Sequence, residues 1–104
     1  MSDIRIYLLS SEGLVLKSII IDGKRTWEGI FSTVQKEHVI DVGEKTNQAI
    51  RFLINKKLII EDEESRAFYK STTNRLIEEF TEFYYKIETK PHQEKRNVPF
   101  IFKL

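Results

Sequence analysis

Residues 41–70 read DVGEKTNQAIRFLINKKLIIEDEESRAFYK, and this stretch predicts one helix followed directly by a β-hairpin with a charged tip. Asp41 is a residue type that caps the free N–H groups at a helix start, and Glu44, three residues on, would complete a capping box. We therefore expect the helix to begin near Val42 and to run to about Lys57.

The predicted helix has two different faces. Ala49, Ile50 and Leu53 fall on one stripe at helical spacing, and Leu58 follows just beyond the last turn. Polar and basic residues fall mostly off this stripe: Lys45, Asn47, Gln48, Arg51 and Asn55. One face should be buried, while the other offers hydrogen-bonding and basic groups.

A change of residue type after Lys57 predicts the hairpin. Residues 58–60 are apolar, residues 61–65 read EDEES, and residues 66–70 read RAFYK, which fits two short strands around a polar turn. The four successive acids would oppose the counterion release that drives binding to phosphates: Glu61, Asp62, Glu63 and Glu64. This tip is expected either to be a solvated charge run or to contact a basic surface.

The N-terminal quarter admits two interpretations. Residues 4–9 are apolar and β-branched enough for a strand. For residues 10–23 we favour a helix that Ser10 or Ser11 caps, that Asp22-Gly23 stops, and whose core side would hold Leu14, Leu16, Ile19 and Ile20. The alternative is a β-hairpin, in which the SSEG turn joins IRIYLL to LVLKSIII.

A second helix is predicted from a Thr26 cap to about Glu37. Trp27, Ile30, Phe31 and Val34 are spaced as one wide apolar stripe, and Trp27 is expected to anchor the core rather than to serve as a binding platform. The connection to the helix at Val42 is short. The two helices should therefore pack as a helix-turn-helix pair.

A further long helix is predicted to begin at Ser71 or Thr72. Leu76, Phe80, Phe83 and Ile87 recur at intervals of three and four, which gives a broad apolar face. Pro91 ends the helical pattern, and the segment 92–104 is basic and expected to be extended. Its residues 98–102 could dock as a strand, or the segment could be a mobile tail.

Length and composition limit the classes of protein. A chain of 104 residues should form one domain, and 17 basic against 16 acidic residues give a net charge of +1, so any electrostatic surface must be local. The absence of cysteine and of a long apolar run predicts an intracellular, cytoplasmic protein without membrane insertion. No pattern supports catalysis, a metal site, a cofactor or a small-molecule substrate, so we do not expect an enzyme.

Residues 14–88 resemble winged helix-turn-helix regulators of the PadR and MarR type, and they look closest to small winged-helix proteins of crenarchaeal viruses. The matching features are IDG before the second helix, the run TNQAIRFLINKKLII, the hairpin and the long closing helix. The resemblance implies an α+β, mainly α fold: a winged-helix domain at 1–90, and a basic tail or docking strand at 91–104. It also implies that 42–57 is a recognition helix, with a glycine usual where this chain has Lys57.

This reading predicts sequence-specific binding of double-stranded DNA by a transcriptional regulator, in the host cytoplasm if the protein is viral. The residue types suited to base edges are Lys45, Thr46, Asn47, Gln48 and Arg51. Those suited to phosphates are Lys24, Arg25, Lys56, Lys57, Arg66 and Lys70.

The breadth of the last apolar face predicts a homodimer. We expect its interface at Leu76, Phe80, Phe83, Tyr84 and Ile87. An alternative function is a winged-helix protein interaction module that uses the acidic hairpin tip and the aromatic last helix.

Overall fold

The structure is a computed structural model that describes residues 3–62 and 68–104. Over these residues the elements are β1 (Asp3–Tyr7), α1 (Ser11–Ile20), α2 (Trp27–Val34), α3 (Val42–Asn55), β2 (Ile59–Asp62), β3 (Phe68–Ser71), α4 (Asn74–Ile87), α5 (His92–Asn97) and β4 (Pro99–Lys103). Helical residues outnumber strand residues, so the α+β class with a majority of helix is confirmed.

The strands form two antiparallel pairs in the described parts of the chain. In one, β2 pairs with β3 from Ile59 opposite Ser71 to Asp62 opposite Phe68, which confirms the hairpin. Glu61 and Asp62 belong to its first strand rather than to its turn, and the rest of the acidic tip lies outside the described residues. In the other, β1 pairs with β4, which joins the two ends of the chain.

The C-terminal segment therefore differs in part from the predicted extended tail. Its last residues dock as the strand β4, but residues 92–97 form the short helix α5. Pro91 precedes this helix with an extended backbone, and its carbonyl accepts from the N–H groups of Glu94 and Lys95 at 2.9 and 3.1 Å. A proline that ends one helical pattern can thus also begin another helix, because its missing N–H costs nothing at a helix start.

The helical interpretation of the N-terminal quarter is correct, and the hairpin interpretation is wrong. Ser10 caps α1, with its Oγ accepting from the N–H of Gly13 at 3.1 Å. Gly23 follows the helix with a φ of 68°, a conformation that glycine adopts without strain. Leu14 and Leu16 are buried as expected, and the helix packs against α2 and α3.

The start of α3 does not carry the predicted capping box. Asp41 adopts a left-handed backbone with φ 51° and makes no side-chain cap, because a capping side chain requires an extended residue at this position. Glu44 instead accepts a hydrogen bond from Gln48 Nε2 at 3.2 Å. The preceding helix does start as predicted, since Thr26 Oγ1 accepts from the N–H of Gly29 at 3.2 Å, but it ends at Val34.

At the end of α3, Lys57 adopts a backbone conformation that usually takes glycine. Lys57 has a φ of 62°, its N–H donates to the carbonyl of Ile54, and the N–H of Leu58 donates to the carbonyl of Leu53, both at 2.9 Å. These two bonds form a Schellman motif, whose left-handed residue is usually glycine. The predicted stripe on α3 is buried, as is Leu58.

The predicted dimer interface falls on a face of α4 that the chain largely covers itself. Leu76, Phe80 and Ile87 are buried in the core, and Phe83 and Tyr84 are half-buried against it. β4 supplies the cover through Phe100, whose ring centroid lies 5.1 Å from that of Phe80 and 5.4 Å from that of Phe83.

A guanidinium strengthens the attachment of β4 to the helix. Arg75 of α4 lies over the ring of Phe102 at 4.2 Å and donates a hydrogen bond to the carbonyl of Lys103.

Within residues 3–62 and 68–104, none of the helices combines the length and the hydropathy that crossing a bilayer requires.

Candidate nucleic-acid interface

The outward face of α3 brings together three of the predicted base-contacting residues. Asn47, Gln48 and Arg51 are all exposed, and they occupy adjacent positions of the helix surface opposite the buried stripe. Lys45 is half-buried one turn before them. Amide and guanidinium groups side by side on one helix face can donate to and accept from base edges.

Thr46 does not belong to this face. Its side chain is fully buried (0% exposed), and its hydroxyl donates to the carbonyl of Val42 at 2.8 Å. A threonine that returns its hydroxyl to the preceding turn can lie in a core without an unpaired polar group. Its spacing of four and seven residues from Ile50 and Leu53 places it on their stripe, which is the sequence signal that separates it from Asn47.

Trp27 is the residue that the sequence did not connect to this face. Its Nε1 donates to Asn47 Oδ1 at 2.7 Å, which joins the first residue of α2 to the exposed face of α3. The ring also stacks on Phe31, with centroids 5.0 Å apart and planes at 19°, and it packs against the core. Trp27 is thus a core anchor, as predicted, that also presents a polar atom to the candidate site.

Charge is graded along α3. Asp41 and Glu44 are exposed at its start, whereas Arg51, Lys56 and Lys57 are exposed towards and beyond its end. Among the described residues Arg51 has neither an ion-pair partner nor a side-chain hydrogen bond, so its guanidinium is available to a ligand. The positive potential of this surface therefore centres on the second half of the helix.

Two of the predicted phosphate-contacting residues line the same cleft next to β3. The carbonyl of Arg25 accepts from the N–H of Tyr69 at 2.8 Å, which ties the segment before α2 to β3. Arg25 and Lys70 both line a cleft of about 330 Å³, whose apolar wall includes Ile19, Ile20 and Ile77. Lys24 lies in the same segment and is exposed, while Arg66 lies outside the described residues.

The hairpin next to this cleft carries acidic residues. Burial raises the pKa of the Tyr69 phenol above its usual range, and the carboxylates of Glu61 and Glu28 raise it further. The phenol is therefore a neutral hydrogen-bond donor at neutral pH. Glu61, which lies opposite Tyr69 in the hairpin, and Glu28 therefore place two carboxylates near this phenol and close to Arg25 and Lys70.

We compared the chain with models of protein families, with curated protein sequences and with solved structures, and none of them matches. In the described ranges, no group of three histidine, aspartate or glutamate side chains is arranged to hold a metal ion.

Proposed function

We propose that this protein is a winged-helix DNA-binding protein, and that α3 enters the major groove of double-stranded DNA. The observation that carries this proposal is the exposed face of α3, where Asn47, Gln48 and Arg51 lie opposite a fully buried stripe. The order of elements supports it. As in winged-helix domains, the chain forms in order one helix, an extended segment that bonds to β3, the pair α2 and α3, and the β2–β3 hairpin.

The residues suggest how bases would be read. Arg51, which has no ion-pair or side-chain hydrogen-bond partner in residues 3–62 and 68–104, suits the paired acceptors O6 and N7 of guanine. The amides of Asn47 and Gln48 suit N6 and N7 of adenine. Lys45 is a further candidate at the rim. Thr46 has no part in this proposal because it is buried.

The other candidate cations would contact phosphates. Lys24 and Arg25 lie in the segment bonded to β3, Lys70 lies on β3, and Lys56 and Lys57 follow the end of α3. Glu61 is exposed on the hairpin, so bringing that strand onto the backbone would cost binding energy. We expect β2, with Glu61, to face away from the duplex, while Lys70 on β3 stays available to the backbone.

A transcriptional regulator of this kind would act as a homodimer, which we also propose. Two copies related by a two-fold axis would place their recognition helices about 34 Å apart and would select an inverted repeat. The interface would have to use surfaces other than the buried residues of α4. Selection of bound duplexes from a random pool tests both claims, because an inverted repeat would report DNA binding and two-fold symmetry together.

A matched pair of variants tests the role of α3. Arg51→Ala should weaken binding to the selected duplex by about 1–3 kcal/mol and relax the preference at one base pair. Arg5→Ala removes the same charge from the exposed side of β1, away from α3, and should have little effect. No binding by the wild type at low salt, or equal effects of the two variants, would overturn the proposal.

One observation favours a second function, that of a protein interaction module. Val39 and Ile40, in the connection between α2 and α3, are 87% and 67% exposed, which is unusual for two adjacent apolar side chains. An interaction module that binds its partner through the aromatic face of α4 is less favoured, because the chain itself covers most of that face. If a protein partner binds here, Val39→Ser with Ile40→Ser should abolish its capture while Arg51→Ala preserves it.

A further inference from the structure

The hydrogen bond between Trp27 and Asn47 fixes the orientation of an amide that would otherwise turn freely. Trp27 Nε1 lies 2.7 Å from Asn47 Oδ1. An indole N–H can only donate, so the atom of Asn47 that faces it must be the oxygen rather than the nitrogen. The Nδ2 group of Asn47 is consequently turned away from the indole.

Trp27 is itself held rigidly. It is the first residue of α2, directly after the Thr26 cap, and its ring stacks on Phe31 within the same helix. The ring is partly buried and packs against the core. The donor therefore has a defined position, and part of the side-chain entropy that Asn47 would lose on binding a ligand is already lost in the free protein.

We propose that Trp27 is a positioning residue that sets Asn47 to read adenine in the major groove. This inference rests on the proposed DNA binding. The outward Nδ2 would donate to N7, and the lone pair of Oδ1 that Trp27 leaves free would accept from the N6 amino group. Guanine would instead bring its O6 towards Oδ1, so two acceptors would oppose each other.

Gln48 provides the internal contrast. Its Nε2 donates to Glu44 Oε1 at 3.2 Å, and both side chains are exposed, so this bond links two flexible groups at the surface. Gln48 would have to break or rearrange that bond in order to use its amide nitrogen on a base. Asn47 keeps its bond to Trp27 while it reads, and we therefore expect the stronger base preference at the position that Asn47 contacts.

Trp27→Phe tests the inference, because phenylalanine retains a ring to stack on Phe31 but has no N–H. Affinities would be measured for the selected duplex and for each single-base variant of it, at several salt concentrations. We expect the preference for adenine at one position to fall about ten-fold, with the salt dependence unchanged. Asn47→Ala should lose the same preference, and the double variant should lose no more than Asn47→Ala alone.

The outcomes separate this inference from the function on which it rests. If the wild type binds no duplex, the proposed function and the inference both fail. If the wild type binds and Trp27→Phe retains the adenine preference that Asn47→Ala loses, only the inference fails.

A second measurement does not depend on the folding of Trp27→Phe. The chain has one tryptophan, so its indole N–H gives a single assignable resonance. Hydrogen exchange at that N–H should be slower in the free wild type than in Asn47→Ala. Equal exchange rates in the two proteins would show that the pair is not formed in solution and would overturn the inference.

Discussion

Phe80 of α4 and Phe100 of β4 meet edge to face, with their ring centroids 5.1 Å apart and their planes at 84°. Such a pair stabilises the contact beyond the area that it buries. Because β4 is held on its other side by β1, the contact links both ends of the chain to α4. The apolar face of α4 is therefore a part of the monomer's core.

Phe100→Ala should destabilise the protein by about 3–5 kcal/mol, because it removes a buried ring and leaves a cavity against Phe80. Its neighbour Ile101 provides the control. Ile101 is 44% exposed, against 3% for Phe100, and Ile101→Ala should cost less than about 1 kcal/mol. The measurement is the free energy of unfolding in urea; similar losses for the two variants would show that β4 is not packed on α4.

Local sequence signals were sufficient for much of the fold. The caps at Ser10 and Thr26 and the apolar periodicity of the helices depend on residues within one or two turns, and each could be read directly from the sequence. The pairing of β1 with β4 could not, because it joins segments from opposite ends of the chain and no local pattern specifies the partner of a strand. That missing partner is the reason why the face containing Phe80 looked open.

The candidate site also combines features that the local sequence predicts with features that it does not. The outward position of Asn47 and Arg51 follows from helical spacing, which is a local property. The hydrogen bond from Trp27 does not, since an apolar stripe predicts which face a ring lies on but not where its N–H points. The left-handed backbone of Asp41 was equally hidden, because the residue type fits both a cap and a turn.

Gly13 lies where the end of β1 meets α1, and Gly13→Ala should be strongly destabilising. A Cβ at this position would come within 2.6 Å of the carbonyl oxygen of Leu8 and would also overlap that of Tyr7. Both are backbone atoms, so the helix would have to move, at a cost of about 2 kcal/mol or more.

Gly43 is the control for that substitution. A Cβ on Gly43 would have no atom within 4 Å, and the residue lies in the first turn of α3. Gly43→Ala should therefore stabilise the protein by up to about 1 kcal/mol through helix propensity. Thermal unfolding of both variants checks the pair, and a loss at Gly43 as large as that at Gly13 would contradict the close packing of α1 on β1.

Lys57→Gly should stabilise the protein. A lysine in the left-handed conformation carries a backbone penalty of about 1–2 kcal/mol, which glycine avoids. Part of this gain is offset because glycine has the larger conformational entropy in the unfolded chain. We expect a net gain of about 0.5–1 kcal/mol in chemical unfolding. Lys56→Gly removes the same charge at a residue with φ −84°, where glycine relieves no strain, and should give no gain. A gain at Lys56 equal to that at Lys57 would assign the effect to charge.

Tyr69 should make stability fall at high pH. Burial, then Glu61 and Glu28, raise the pKa of its phenol in the folded protein above the usual value of about 10. A group whose pKa is higher in the folded than in the unfolded protein adds its full stabilisation at pH values below the unfolded pKa. This stabilisation is lost as the pH rises through the folded pKa, because the unfolded chain releases the proton first. The free energy of unfolding, measured between about pH 8 and pH 11, should decline less steeply for Tyr69→Phe than for the wild type.

Glu61→Gln, which removes one of the two carboxylates, should give an intermediate slope. If Tyr69→Phe follows the wild-type slope throughout, the folded protein does not raise the pKa of this phenol.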